Sequence, residues 1–246
     1  MSTIVKDLVG FTAPRSLGIL LSSLHEIREI RVARCSPLPP LQTRLSLTAS
    51  ERIIFEKALE VRHRTGLSFW DAALLELSSM PNGVRLLDAA MDHVSLRGHE
   101  SILSWSDVNS GGLERVCAEY SAEDGANLTL LSEVVCRDGS LGHLPMIDFH
   151  AFKSPENQHI VEAVAERLFP EGSILMDSGE SYHAYGTRIL SPDDFWRFLG
   201  TALLFVPIVD RVYIGHQMIE GRSALRLTPG GGKAQVPTVV AVLPRR

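Results

Sequence analysis

The sequence of 246 residues predicts an α+β fold. Three observations lead there. The first 85 or so residues are written mostly in helix grammar. Beyond them, short β-favouring runs alternate with Gly- and Asp-rich turns. Two well-capped helices, opening near residues 154 and 191, interrupt those runs. With 45% apolar and 22% charged residues, the composition is that of a globular chain able to bury a sizeable core.

Taken in order, the first 45 residues are helix-like in composition and break at the proline-rich connector "CSPLPPLQT". The segment "TASERIIFEKALEVRHRTG" opens with a capping box, Thr48 with Glu51, in which each side chain satisfies an amide of the other's first turn. Ile54, Ala58 and Val61 follow at helical spacing, and Gly66 stops the helix. "SFWDAALLEL" begins a second helix at Ser68 and Asp71. From about residue 88, "DAAMDHVSL", "NLTLLSEVV" and "LPMIDF" read as strands. "SPENQHIVEAVAERLF" has Ser154 as cap, Pro155 at the first helical position, and Ile160, Val161, Val164 and Leu168 on one face. "SPDDFWRFLGTALLF" repeats that grammar with Ser191, Pro192 and the acids Asp193 and Asp194 at the positive helix end. "VDRVYI", "ALRLT" and "VPTVVAVL" then read as strands. The predicted organisation is a helical N-terminal region, 1–85, and an α+β domain, 86–246.

No uninterrupted apolar run reaches about 18 residues, so no membrane span is expected. The longest candidate, "FLGTALLFVPIV", contains Pro207 and is bounded by Arg197 and Asp210. The N-terminus lacks the basic-then-apolar build of a signal peptide, which predicts a cytoplasmic protein. Cys35, Cys117 and Cys136 are odd in number and widely spaced, the pattern of buried thiols in a reducing compartment. Net charge is −5, yet residues 211–246 hold six basic residues and one acid, against 18 basic and 28 acidic before them. That asymmetry predicts a local basic face on an acidic whole.

Three places carry chemistry. In "MIDFH", Asp148 and His150 flank Phe149, so on a strand both polar side chains face the same way and make half of a divalent-metal site. In "ILMDSGESYHAYG", a strand runs into a loop with more hydrogen-bonding capacity than a hairpin turn requires. The hydroxyls of Ser178 and Ser181 and the amide of Gly179 suit phosphate oxygens, and His183 adds a charged donor. Asp210 ends the run "LLFVPIVD" and offers a further carboxylate to the metal. Each residue also has a plainer role: Asp177 and Asp210 as turn formers, His150 as a hydrogen-bonded structural histidine.

The order D-x-H, then S-G-x-S-x-H-x-Y-G, then a strand-end Asp, all within about 60 residues, resembles the archaeo-eukaryotic primase (primase–polymerase) superfamily. The wording of "DFH", "SGESYHAYG", "FWRFLGTALLF", "DRVYIGHQMIEGRSALRLT" and "GGGKAQVPTVV" is similar to a bacterial subgroup of primase-like proteins, over residues of roughly 145–240. The resemblance implies a primase-like core, a mixed or antiparallel sheet with flanking helices, behind the helical N-terminal region. It implies a nucleotidyltransferase of DNA replication or repair, with Asp148, His150 and Asp210 on a divalent metal. Ser178, Gly179, Ser181 and His183 fall on the nucleotide's phosphates, and Arg226 on nucleotide or template. The implied partners are a nucleoside triphosphate and a nucleic acid reached through the basic C-terminal segment. His150 stands where the family's second carboxylate is expected. An imidazole adds no negative charge and softens the donor set, a shift toward Mn²⁺ or Zn²⁺ over Mg²⁺; the metal that the resemblance implies is Mn²⁺ or Mg²⁺, with Zn²⁺ behind. The alternative is a catalytically inactive nucleotide- or nucleic-acid-binding module of the same fold.

Two other resemblances fail on length and spacing. "MIDFHAF" is similar to the opening strand of amidohydrolase barrels, but Phe152 stands where the second histidine belongs and only 96 residues follow His150, too few for a barrel of about 250 residues. "TPGGGKA" lacks the spacing of a phosphate loop and reads as a strand connection.

Overall fold

The computed structural model describes residues 7–36, 43, 46–80, 85–87, 100–120 and 125–245. By its contacts the chain divides into two compact units, Pro37–Val94 and the remainder, Met1–Ser36 with Ser95–Arg246. The expected boundary at 85 therefore moves, because the N-terminal 36 residues pack with the long C-terminal part. The reason is β1 (Ile27–Cys35), expected as helix but built as a nine-residue strand. It pairs antiparallel with β2 (Glu100–Ser104) and with β3 (Asn127–Cys136). Among the described residues, α1 (Ala13–Ser23) keeps the helical reading of the first segment.

The smaller unit holds α2 (Ala49–Thr65) and α3 (Phe69–Leu77). Both expected caps form: Thr48 and Glu51 make the reciprocal box, and Ser68 accepts from the Asp71 amide. Ile54, Ala58, Ala72, Ala73 and Leu77 form its core. Glu51 is buried and accepts from Arg85 at 2.8 and 2.9 Å. Arg85 first, and the Thr48 amide second, hold the Glu51 carboxyl down to about 2 from the ordinary 4.5. A depressed carboxyl stabilises the fold above its unfolded value and loses that contribution as pH falls through the folded one. Acid unfolding of this unit is therefore expected to intensify between about 4.5 and 2. Glu51→Gln should lower stability at neutral pH and flatten that acid dependence in circular-dichroism melts.

In the larger unit, α4 (Trp105–Asn109) and α5 (Gly112–Glu119) follow β2, with Ser104 and Asp107 as a capping box. They account for "SWSDVNSGGLERV". One antiparallel sheet runs β2-β1-β3-β4, where β4 is Leu141–His143 and β8 (Ala224–Arg226) also pairs with β3. A second runs β5-β7-β6-β9, with β5 Met146–Asp148, β6 Ser173–Asp177, β7 Tyr182–Gly186 and β9 Thr238–Leu243. The helices α6 (Pro155–Leu168) and α7 (Pro192–Ala202) carry the expected Ser154 and Ser191 caps. The strand reading of "DAAMDHVSL" lies outside the described residues.

Alternation along the second sheet decides its layering. Met146, Ile174, Met176 and Tyr185 join Ile30, Val32, Leu130 and Leu17 in a core shared with the first sheet and α1. Ile147, Leu175, Tyr182 and Ala184 face the other way, against Val161, Ala165 and Phe195 of α6 and α7. The result is the α+β architecture of antiparallel sheets flanked by helices, consistent with a primase-like core. "VDRVYI" is corrected: it opens α8 (Arg211–Glu220), whose N-cap is Asp210 and whose end is Gly221 in the left-handed region. The β-branched and aromatic residues there suggested a strand, but the cap and tertiary packing override propensity. The three cysteines are free, and burial pushes the Cys117 thiol up to about 12. Among the described residues no helix is long and apolar enough to cross a membrane.

Candidate functional site

Asp148 closes β5 directly opposite His183 of β7 in the antiparallel ladder. His183 Nε2 lies 3.5 Å from Asp148 Oδ1. The next turn of chain is zipped to residues 208–210: His150 N–H donates to Ile208 O at 2.8 Å, and Asp210 N–H donates to Asp148 O at 3.1 Å. His150 Nδ1 then stands 3.9 Å from Asp210 Oδ2. Asp148, His150, His183 and Asp210 thus lie near one another, though among the described residues no three such side chains are grouped closely enough to hold a metal ion. They form two neighbouring pairs, and not a strand-face half-site, because β5 stops at Asp148 and His150 lies beyond it. Asp210 also has a structural duty, its Oδ1 accepting from the Val212 and Tyr213 amides at 2.8 and 3.0 Å.

The electrostatics are those of a largely buried polar cluster. The Asp148 side chain is 29% exposed, yet its Oδ1 is buried without a hydrogen-bond partner. Burial first, and the neighbouring Asp210 charge second, hold its carboxyl well above the ordinary range, while Lys233 and Arg226 oppose that rise. His183 is pushed down to about 3, first by burial and then by Arg226 and Lys233. Its ring is neutral at pH 7, which corrects the expected charged donor; it offers one donor and one acceptor. His150 Nε2, His183 Nδ1 and the Tyr185 hydroxyl are buried and unpartnered as well. Each such atom costs about 1–3 kcal/mol until a polar ligand or water meets it.

The loop itself is shorter than the sequence suggested, since Tyr182–Gly186 is strand. What remains, residues 178–181, is a tight turn in which Ser178 N–H donates to Ser181 O at 2.9 Å. The Gly179 amide, expected to face phosphate, instead donates to Asp177 Oδ1 at 2.7 Å. Asp177 is therefore the turn former, and it also pairs with Lys153. The hydroxyls of Ser178 and Ser181 stand 3.2 Å apart at the hairpin.

Arg226 reaches this hairpin from the first sheet. It donates to Ser178 O at 2.7 Å, to Thr228 O at 2.8 Å and to Gln235 O at 2.6 Å. It is a staple between β8, the hairpin and the following loop, and its charge bears on Asp148 and His183 from there. Lys233 belongs to "TPGGGKA", which the sequence presents as a strand connection and not as part of the site. It pairs with Glu180 at the hairpin tip and influences both Asp148 and His183. The signal was the glycine run before it. Gly230, Gly231 and Gly232 all have positive φ, and a Cβ on Gly230 would sit 2.3 Å from Ala126 O. That backbone atom cannot give way. Gly230→Ala should therefore lower the unfolding free energy by roughly 2 kcal/mol or more in urea titrations. In the basic C-terminal segment three cations have acidic partners: Arg222 pairs with Glu100, Lys233 with Glu180 and Arg245 with Glu171.

A profile of the AEP-like family, described as archaeo-eukaryotic primase 1D-like, matches residues 104–238, more than half of the chain. The chain belongs to that family. No curated protein and no solved structure matches it. The primase-like match contains every residue of this cluster, from Asp148 to Lys233, and excludes the small helical unit. Within it the His150 imidazole faces Asp210.

Proposed function

We propose that this chain is a nucleotidyltransferase of the primase–polymerase kind. It would transfer a nucleoside monophosphate from a nucleoside triphosphate to a hydroxyl at a nucleic-acid end, releasing pyrophosphate. The observation that carries the reading is the meeting of Asp148, Asp210 and His183 beneath the charges of Arg226 and Lys233, in a chain of the primase-like family.

Among the described residues no group of three His, Cys, Asp or Glu side chains stands ready to hold a metal ion. The unpartnered Oδ1 of Asp148, with Asp210 as a second carboxylate and the His150 imidazole, is the set that a Mn²⁺ or Mg²⁺ would draw together. Asp148, Asp210 through Oδ2, and His150 would hold it. When bound, such a cation neutralises charge on phosphate oxygens during transfer. The protein's own contribution is positioning. Lys233 exchanges its exposed partner Glu180 for a phosphate oxygen, a weak surface pair being easily displaced. The Ser178 and Ser181 hydroxyls donate to further phosphate oxygens, and the neutral His183 ring supplies one uncharged donor in a water-poor setting. Arg226 keeps the hairpin in place while contributing field.

The test is extension of a labelled primer on a DNA or RNA template. Incorporation that needs Mn²⁺ or Mg²⁺ supports the proposal, and its absence with both metals overturns it. One observation favours a second reading, a nucleotide-binding module without turnover: one carboxylate is replaced by His150, and half of Asp210 is committed to capping α8. Nucleotide binding without incorporation would select that module.

A further inference from the structure

Phe152 lies two residues beyond His150, with the two rings 6.4 Å apart and inclined at 44°. It is 48% exposed. Lone exposed apolar residues are common and need no explanation. This one differs in where it stands and how it is held. Its carbonyl accepts from Asn157 Nδ2 at 2.8 Å, and the next amide, Lys153 N–H, donates to Glu180 O at 2.9 Å. The backbone is thus pinned on both sides to α6 and to the hairpin while the ring is left half exposed. Lys153 beside it carries its cation to Asp177 at the hairpin's base. A half-exposed aromatic ring beside His150, at the edge of the candidate phosphate site, offers the π-face that a nucleobase needs.

We infer that Phe152 is the platform on which the nucleobase of the bound nucleotide stacks, so that the cleft selects a nucleotide over a bare polyphosphate. This rests on the proposed function and deepens it by assigning the base its contact. Because stacking uses only the ring face, it tolerates any base and favours the larger purines.

Calorimetric titration of the full chain with ATP and with inorganic tripolyphosphate, in Mg²⁺ and without any nucleic-acid end, separates the two ideas. The wild type is expected to bind ATP about tenfold more tightly than tripolyphosphate. Phe152→Ala should bring ATP down to the tripolyphosphate level while leaving tripolyphosphate itself unchanged, which doubles as the folding control. Phe152→Tyr should keep the preference. Equal wild-type affinities, or an undiminished ATP preference in Phe152→Ala, would overturn the inference and leave the proposed function standing. A wild type that binds neither ligand would overturn both.

Discussion

Asp148→Asn is expected to abolish metal-dependent incorporation, by roughly a thousandfold or about 4 kcal/mol of barrier, without loss of folding stability. The two halves of that result have one cause. In the folded chain the Asp148 carboxylate pays for burial and for the nearby Asp210 charge, and its inner oxygen has no hydrogen-bond partner. Burial and the Asp210 charge disfavour the ionised form of such a carboxyl, and a bound cation would relieve both by supplying the missing partner. Replacing the charge by an amide of the same shape removes the repulsion and the binding together. A primer-extension assay and a thermal melt on the same preparation check both. A large fall in melting temperature with unchanged incorporation would show that Asp148 is a structural residue.

Arg226→Ala carries the second large effect, and its first readout is stability. The substitution strips a cationic donor from Ser178 O, Thr228 O and Gln235 O at once. Hydrogen bonds to charged groups are worth about 1.5–3 kcal/mol each and three sharing one side chain do not add fully, so a loss of about 3–5 kcal/mol is expected in urea unfolding. The hairpin holding Ser178 and Ser181 loses its tie to β8, and nucleotide affinity falls with it. Arg226→Lys keeps the charge but replaces a fork by a point donor, so it should recover only part of either quantity. A change below about 1 kcal/mol would mean that the staple is not what holds the hairpin.

The helices of this fold were legible where their ends were written. Ser154 with Pro155 and Ser191 with Pro192 announce α6 and α7, and Thr48 with Glu51 announces α2, because a cap is a local hydrogen bond between residues three apart. What was not legible depends on distant partners. "IREIRVARC" looks helical in its Arg, Glu and Ala content, and only pairing with β2 and β3, about 70 and 100 residues later, makes it a strand. The boundary near 85 went wrong with it. α8 hid behind β-branched residues because its deciding feature, Asp210 as cap, had been read as a strand end. At the site, motif order singles out Asp148, His183 and Asp210, and the β5–β7 ladder with the chain at 208–210 sets them near one another. The charge on His183 was not legible, since neutrality comes from burial and from Arg226 and Lys233. Nor was the engagement of the Gly179 amide, a consequence of Asp177 folding back over its own turn.

The measurement that bears most directly on this account is a crystal structure with Mn²⁺ and a nucleoside triphosphate bound. The account predicts an anomalous manganese peak against Asp148 and Asp210, with the phosphates lying between His183, Ser181 and Lys233. Nucleotide density on another surface, or manganese remote from both aspartates, would contradict it.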